Sequence, residues 1–147
     1  MQSISPTLLL SLQSNYLIEG YKKDSVSLVD INYSTDECSG VFKFTEAYTS
    51  SDGGFHLSMT TVTNCISQLG IVYAGLLNGL SKKESEVYVI EYRIKFSKPI
   101  LNYIFNITAS MTDIHRKKDA IIYTMAGGVE NNSFTYEVTF FFLFEVG

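Results

Sequence analysis

The sequence predicts an α+β fold in which a curved antiparallel sheet wraps around one long central helix. Residues 57–80 contain no proline and repeat apolar side chains at helical spacing, and no Asp, Glu, Lys or Arg occurs from His56 to Gly79. Two alternating apolar segments precede this stretch and four follow it. A helix without charge is buried round most of its circumference. The sheet must therefore bend around the helix, because nothing else in the chain can cover it.

Length and composition limit the other possibilities. The chain has 147 residues, 46% of them apolar, so we expect one domain over residues 1–147 with residues 1–20 as an entry segment. A net charge of −4 without a basic stripe argues against a nucleic-acid partner. Cys38 and Cys65 have no CxxC spacing, and no window reaches the ~18 apolar residues of a spanning helix. We therefore expect a cytoplasmic protein with no membrane partner.

The segments ahead of the central helix predict a hairpin. A helix-compatible entry stretch runs from Pro6 to Glu19. Val26–Tyr33 and Gly40–Tyr48 then alternate as strands do, and residues 34–37 (STDE) between them have turn chemistry. These two strands are expected to pair.

The central helix is defined by its apolar period and by its end. Its apolar positions recur at steps of three and four: Leu57, Val62, Ile66, Leu69, Val72, Tyr73, Leu76 and Leu77. Asn78-Gly79 ends the pattern in the way that a C-terminal cap does.

Four strands are predicted after the helix: Glu86–Phe96, Asn102–Asp113, Asp119–Gly127 and Ser133–Val146. The predicted connections are Lys98-Pro99, residues 115–118 and residues 127–132. Connections this tight predict that strands adjacent in sequence are antiparallel neighbours. Six strands leave half of the helix poorly covered, so we expect a homodimer or higher homo-oligomer that joins two sheets side by side.

This element order is the layout of hot-dog proteins, and local sequence extends the resemblance. Patches spread over roughly residues 20 to 112 resemble the FcoT-type long-chain fatty acyl-CoA thioesterases. They are residues 29–34 (VDINYS), residues 52–56 (DGGFH), Gln68-Leu69 and residues 94–99 (IKFSKP).

The resemblance implies hydrolysis of an acyl thioester. The expected substrates are fatty or polyketide acyl groups on coenzyme A or on an acyl carrier protein, in a biosynthetic role. The pantetheine arm would enter at the dimer interface, near the loop that precedes the helix. The resemblance implies no metal and no cofactor beyond the coenzyme A or phosphopantetheine that forms part of the substrate.

Two side chains near the helix start are the leading catalytic candidates. Many hot-dog enzymes carry a carboxylate on the helix four residues before a glutamine, and here Asn64 takes that place before Gln68. An asparagine cannot be a general base, but its amide can orient water or bind a carbonyl oxygen. His56 is the candidate for proton transfer, because an unperturbed imidazole has a pKa of ~6.5. We expect His56 and Asn64 to position a water, with Gln68 contacting the substrate.

The loop before the helix predicts the groups that bind the carbonyl. Tyr48 lies in the pattern Glu46-Ala47-Tyr48, which again resembles the thioesterase family, and its phenol is expected to donate to the developing oxyanion. Tyr21 matches a family tyrosine more loosely. Glycines permit a close backbone approach to substrate, and the first amides of a helix are free to donate. The substrate-contacting residues expected here are Gly54, Phe55, Leu57 and Ser58.

Other reactive side chains fit a structural role at least as well. Cys65 lies mid-helix in an apolar setting that raises a thiol pKa, so it is a poor nucleophile. Glu46 and Asp52 are the acids near the loop, and a solvated surface position suits both. Residues 115–118 (HRKK), together with Lys95 and Lys98, form a basic set that either binds the phosphates of the carrier or only solubilises a loop.

Two alternatives to hydrolysis stay open. A dehydratase, hydratase or conjugate-addition enzyme would use the same fold on an enoyl thioester in a secondary-metabolite pathway. The absence of a helix carboxylate also fits a non-catalytic acyl-binding subunit. The products formed from saturated and α,β-unsaturated thioesters distinguish these functions.

Overall fold

The computed structural model describes residues 1–50, 53–83 and 86–143. The chain begins with α1 (Pro6–Leu12), α2 (Asn15–Ile18) and a 3₁₀ turn (Gly20–Lys23), followed by β1 (Ser25–Tyr33), β2 (Cys38–Glu46) and the long helix α3 (Met59–Leu77). Four further strands are β3 (Val87–Phe96), β4 (Ile104–Arg116), β5 (Ala120–Val129) and β6 (Phe134–Leu143). The predicted order of two strands, one long helix and four strands is confirmed.

The six strands form one antiparallel sheet in the order β1-β2-β4-β5-β6-β3. Strands β1 and β3 are therefore the two edges. Register shifts interrupt the ladders at residues 28–30, 89–91 and 111–113. Irregularities of this kind bend and twist a strand, which curves the sheet around α3. The predicted α+β fold class is confirmed.

The core lies between α3 and the inner face of the sheet. Val62, Ile66, Leu69 and Tyr73 are completely buried, and they recur at the three- and four-residue steps that the sequence predicted. Eight of the 19 residues of α3 are buried. Met59, Asn64 and Gln68 are exposed on the side that faces away from the sheet. The sheet of a single chain therefore covers α3 on one side only.

Local contacts set both ends of α3. Ser58 is the N-cap, and its Oγ accepts a hydrogen bond from the Thr61 amide at 3.2 Å. At the other end, the Asn78 backbone amide donates to carbonyls of the last turn of α3, among them that of Ala74. Gly79 follows with φ +67°, a left-handed conformation that favours glycine. The predicted Asn78-Gly79 cap is confirmed. The helix starts at Met59 rather than at Leu57 because its N-cap Ser58 has an extended backbone with φ −86° and ψ 160°. The Leu57 amide ahead of it donates to the Ile100 carbonyl at 2.8 Å.

The prediction that β3 and β4 are neighbours is wrong. β3 pairs with β6 at one edge, while β4 lies between β2 and β5. The reason is the linker between them, residues 97–103. Its Ile100 side chain is buried, and the Ile100 carbonyl accepts a hydrogen bond from the Leu57 amide just before α3. The linker passes the amino end of α3 and leads from the β3 edge of the sheet to the position between β2 and β5. It therefore does not form a tight turn.

Two predicted turns are also misplaced. Gly127 and Gly128 lie inside β5, and the β5–β6 turn is formed by residues 130–132, which all have positive φ. Gly127 is needed in the strand because a Cβ there would lie 1.8 Å from the Thr108 carbonyl oxygen. His115 and Arg116 likewise belong to β4 rather than to the turn that follows it.

The entry segment is helical, but it packs loosely. All residues of α1 are exposed, and the apolar side chains of Leu10 and Leu12 are 67% and 71% exposed. Across the described residues, no helix combines the length and the apolar character that crossing a bilayer requires.

Candidate functional site

A cavity of about 380 Å³ opens at the amino end of α3. We call it the α3 N-terminal cavity. Its walls come from the residues just before α3, the first turn of α3 and the end of β3, with Tyr16 and Leu17 of the entry segment. The lining includes His56, Leu57, Ser58, Met59, Thr60, Phe96, Lys98 and Pro99. Three sequence candidates, His56, Leu57 and Ser58, therefore lie in one cavity together with the helix start.

The chain on either side of His56 is held in place by packing. Phe55 stacks on Tyr103 with ring centroids 4.5 Å apart and meets Phe44 edge-on at 5.0 Å. Leu57 is buried, and its amide is bonded to the Ile100 carbonyl. His56 is exposed between these two anchors. The imidazole therefore lines the cavity from a backbone that is fixed on both sides.

The first turn of α3 presents free amides to the same cavity. The Thr61 amide donates a hydrogen bond to Ser58 Oγ, and the Val62 amide donates to the Ser58 carbonyl at 2.9 Å. Within the described residues, the amides of Met59 and Thr60 meet no acceptor. Such amides carry the positive end of the helix dipole. The cavity thus combines an imidazole with two donors that suit a developing negative charge.

A polar network centred on Asp24 lies beside this turn, and no local pattern in the sequence predicts it. Asp24 Oδ2 accepts from the Tyr16 hydroxyl at 2.9 Å and from the Thr61 hydroxyl at 2.7 Å, and Oδ1 accepts from the Tyr48 amide at 2.8 Å. Tyr16 also hydrogen-bonds Ser58 Oγ. Burial, and further the neighbouring carboxylate, raises the pKa of Tyr16, so its hydroxyl stays protonated as a donor. The network ties the entry segment and the loop before α3 to the helix start.

Asn64 and Gln68 line a different cavity, of about 530 Å³, between β1 and α3. Asp24, Ser25 and Ser27 are among its other polar residues. At ~1.5 Å per residue, Asn64 lies about 7.5 Å along the helix from Met59, the first residue of α3. Within a single chain, His56 and Asn64 thus line different cavities, and their joint positioning of one water stays a prediction. The helical period placed Asn64 on α3, but it did not show which flank of the helix would face the cavity.

The two candidate tyrosines lie outside the α3 N-terminal cavity. Tyr48 is half-buried against Gly20, where a Cβ would lie 2.9 Å from its ring, and its ring centroid is 5.4 Å from that of Tyr16. Tyr21 is at the surface beside Lys22. Tyr48 is thus a packing partner of the Asp24 network. Its donation to a carbonyl oxygen stays a prediction.

The predicted basic set is divided between the two ends of the sheet. Lys98 lines the α3 N-terminal cavity, and its amide donates to the Ser133 carbonyl beside the β5–β6 turn. Residues 115–118 lie at the β4–β5 connection, which is roughly 30 Å away along β5 at ~3.3 Å per residue. Glu46 is exposed at the end of β2, and Asp52 lies outside the described residues. Of this set, Lys98 is the member that lines the cavity among the described residues, while Lys95 is exposed on β3 next to Phe96.

The backbone resembles solved thioesterase structures over almost its whole length. A thioesterase from Haemophilus influenzae matches with a TM-score of 0.57 at 11% identity, over 99% of this chain and 95% of that one. A mutant thioesterase from Pseudomonas aeruginosa gives 0.54 at 11% identity, over 97% and 96%. A thioesterase family protein from Silicibacter pomeroyi gives 0.51 at 15% identity, over 94% and 95%. This chain has the hot-dog fold. No family model matches it, and no curated protein matches it by sequence.

One edge of this hot-dog sheet is open and apolar. Tyr88, Val89 and Ile90 on β3 are each at least half exposed, and β3 pairs with β6 on one side only. An exposed edge strand of this kind presents unpaired amides and carbonyls to a further strand. The α3 N-terminal cavity adjoins this edge through Phe96, the last residue of β3.

The two cysteines of the hot-dog domain are buried thiols. Burial raises the pKa of Cys65 to about 12, with a further rise from the Asp24 carboxylate, and raises the pKa of Cys38 to about 11. Both are free and both are buried. A thiol held protonated in this way is a poor nucleophile, which agrees with the sequence-based view of Cys65 as structural.

Proposed function

We propose that the chain hydrolyses an acyl thioester in the α3 N-terminal cavity. The observation that carries this proposal is the presence of His56 in the same cavity as the unpaired amides of Met59 and Thr60. Amides placed in this way stabilise the oxyanion of a tetrahedral intermediate, and an imidazole can take a proton from the attacking water. The named thioesterases of the same fold support the proposal by analogy.

In the proposed reaction, the water oxygen bonds to the thioester carbon while His56 accepts a water proton. The carbonyl oxygen takes the negative charge and receives hydrogen bonds from Met59 and Thr60. When the intermediate collapses, the carbon–sulfur bond breaks and the protonated His56 returns its proton to the leaving sulfur. The products are a free acid and a thiol, and no redox partner is required.

A carrier with phosphate groups suits the mouth of the cavity. Lys98 is exposed there, and an ammonium attracts the phosphates of coenzyme A or of a phosphopantetheinylated carrier protein. We propose a fatty or polyketide acyl group on such a carrier as the substrate. The resemblance of residues 52–56 and 94–99 to FcoT-type enzymes favours a long-chain acyl-CoA.

We further propose that the protein is a homodimer joined through β3. The open edge of β3 can pair with the same strand of a second copy, which would extend the sheet and bring the partner subunit close to the α3 N-terminal cavity. Residues such as Tyr88 and Ile90 would lose their exposure. A self-complementary edge of this kind is typical of two-fold interfaces.

Mass spectrometry of the products tests hydrolysis against addition to an enoyl group. The protein is incubated with dodecanoyl-CoA and with trans-2-dodecenoyl-CoA. We expect free acid and coenzyme A from both substrates.

None of the described residues lining the α3 N-terminal cavity is an Asp or Glu, and addition–elimination on an enoyl thioester ordinarily uses such an acid beside the histidine. A hydrated or amine-added thioester with its carbon–sulfur bond intact would refute hydrolysis, and no turnover of either substrate would favour a non-catalytic acyl-binding subunit.

A further inference from the structure

We propose that Tyr16, a residue of the entry segment, is a positioning residue for the first turn of α3. Its hydroxyl restrains this turn so that the free amides of Met59 and Thr60 keep a fixed direction toward the α3 N-terminal cavity. The use of these amides rests on the proposed hydrolysis. The restraint itself rests on contacts within the chain, which do not depend on any reaction.

The Tyr16 hydroxyl contacts three side chains at the start of α3. It donates to Asp24 Oδ2 at 2.9 Å, hydrogen-bonds Ser58 Oγ and lies 3.0 Å from Thr61 Oγ1. Ser58 and Thr61 stand immediately before and immediately after the two residues whose amides are free. One hydroxyl of the entry segment therefore contacts the turn on both sides of the proposed oxyanion donors.

The direction of these hydrogen bonds follows from the number of protons. Each hydroxyl has one proton, and a carboxylate only accepts. The protons of Tyr16 and Thr61 both go to Asp24. The bond between Tyr16 and Ser58 therefore uses the Ser58 proton, and the Ser58 oxygen accepts from the Thr61 amide at 3.2 Å. The result is one directed chain from the Thr61 amide through Ser58 and Tyr16 to the Asp24 carboxylate.

The contacts of Tyr16 are concentrated at the site rather than in the core. No residue of α1 or α2 is buried, and Leu17 beside it is exposed. The Tyr16 ring lines the α3 N-terminal cavity and lies against the ring of Tyr48, with centroids 5.4 Å apart. The residue thus contributes to the wall of the cavity and to the cap of the helix, with little burial of its own segment.

Loss of the hydroxyl would leave the first turn of α3 less restrained. The Ser58 proton would lose its acceptor in the chain, so the Ser58 side chain could rotate and release the Thr61 amide. Side-chain caps of this kind hold the start of a helix in place. Oxyanion donors act only when they are already aligned, and a displacement of about 1 Å can cost roughly 10²-fold in rate. A less ordered turn therefore stabilises the transition state less, while substrate binding changes little.

The test compares the wild type, Tyr16→Phe and Tyr73→Phe on dodecanoyl-CoA. Phenylalanine at Tyr16 keeps the ring that lines the cavity and removes only the hydroxyl. Tyr73 is a buried residue of α3 whose hydroxyl donates to the Ser34 carbonyl at 3.0 Å, about 21 Å along the helix from Met59 at ~1.5 Å per residue. We expect Tyr16→Phe to lower kcat about tenfold and to leave KM within twofold, because the lost alignment matters in the transition state. Tyr73→Phe should leave both constants within twofold.

Thermal unfolding distinguishes positioning from stability. Each variant loses one hydroxyl that donates a hydrogen bond, so we expect both to lower Tm by about 2–4 °C. Tyr16→Phe is expected to fold, because no residue of α2 is buried. A fall in kcat in Tyr16→Phe alone, at an equal loss of Tm, supports positioning. A rise in KM with kcat unchanged would overturn it, since Tyr16 would then act only as a wall of the cavity.

Amide hydrogen exchange, measured by NMR, separates the failure of this inference from the failure of the proposed function. We expect the Thr61 amide to exchange about tenfold faster in Tyr16→Phe and within twofold of the wild-type rate in Tyr73→Phe. If thioesters are hydrolysed but Tyr16→Phe changes neither kcat nor the exchange of Thr61, the positioning role is wrong and hydrolysis stands. If no thioester is hydrolysed but the exchange of Thr61 still depends on Tyr16, the restraint stands and hydrolysis is wrong.

Discussion

Replacing His56 by alanine is expected to lower kcat/KM for acyl thioesters by about 10²–10⁴-fold, the usual worth of a positioned general base. The imidazole lines the α3 N-terminal cavity, and the described lining offers no carboxylate to take over proton transfer. The amides of Met59 and Thr60 would remain, so residual hydrolysis above the rate in water is also expected. Release of free coenzyme A, followed with a thiol reagent, provides the measurement.

His115→Ala is the matched control, because the chain has only these two histidines. His115 is exposed on β4, at the end of the sheet that is remote from Lys98. His115→Ala should leave kcat/KM within about twofold of the wild-type value, as surface substitutions usually do. Equal activity in His56→Ala and the wild type would contradict the assignment of the base. A loss in Asn64→Ala as large as that in His56→Ala would instead place the reaction where Asn64 contributes, through a second chain or in the cavity beside β1.

Replacing Asp24 by alanine is expected to lower the free energy of unfolding by about 2–4 kcal/mol. The carboxylate accepts hydrogen bonds from Tyr16, Tyr48 and Thr61, and Thr61 is itself buried. Removal leaves these donors with fewer acceptors beside the start of α3 and frees the entry segment from the helix. Urea denaturation followed by circular dichroism measures the effect.

Asp30→Ala, on the strand β1 that follows Asp24, is the control for Asp24. Asp30 is exposed, and among the described residues its carboxylate accepts only from the amide of its neighbour Ile31 at 2.9 Å. We expect a change within about 0.5 kcal/mol, which is typical of surface sites. If the two variants unfold at the same urea concentration, the network around Asp24 does not stabilise the fold. If Asp24→Ala is unaltered in stability but inactive, the carboxylate belongs to the chemistry.

The sequence predicted the fold well because its strongest signals are local. The uncharged, proline-free stretch that became α3 and the Asn78-Gly79 cap needed no knowledge of partners. Strand neighbours were harder, since apolar alternation identifies a strand but not the strand beside it. The linker that contains Ile100 passes the amino end of α3 before β4 begins. Its course depends on a hydrogen bond between the Ile100 carbonyl and the Leu57 amide, and a contact between residues so far apart in sequence has no local pattern.

The candidate site divides in the same way. The junction of loop and helix predicted where His56 and Ser58 would lie, and the structure places both in one cavity. The spacing of Asn64 and Gln68 gave their place on α3 but not the flank that they face. Asp24 was missed because a single acid before a strand has no distinguishing pattern, and its partner Thr61 lies 37 residues further along the chain. Contacts between residues so distant in sequence leave no periodic signal.

A structure with a non-hydrolysable thioether analogue of dodecanoyl-CoA, in which the carbonyl is retained, would locate the site of hydrolysis. The carbonyl oxygen should lie about 2.7–3.1 Å from the Met59 or Thr60 amide nitrogen, which is the distance required of oxyanion donors. His56 should be the nearest imidazole to the carbonyl carbon. An analogue bound beside Asn64 and Gln68, with the α3 N-terminal cavity unfilled, would contradict the proposed site.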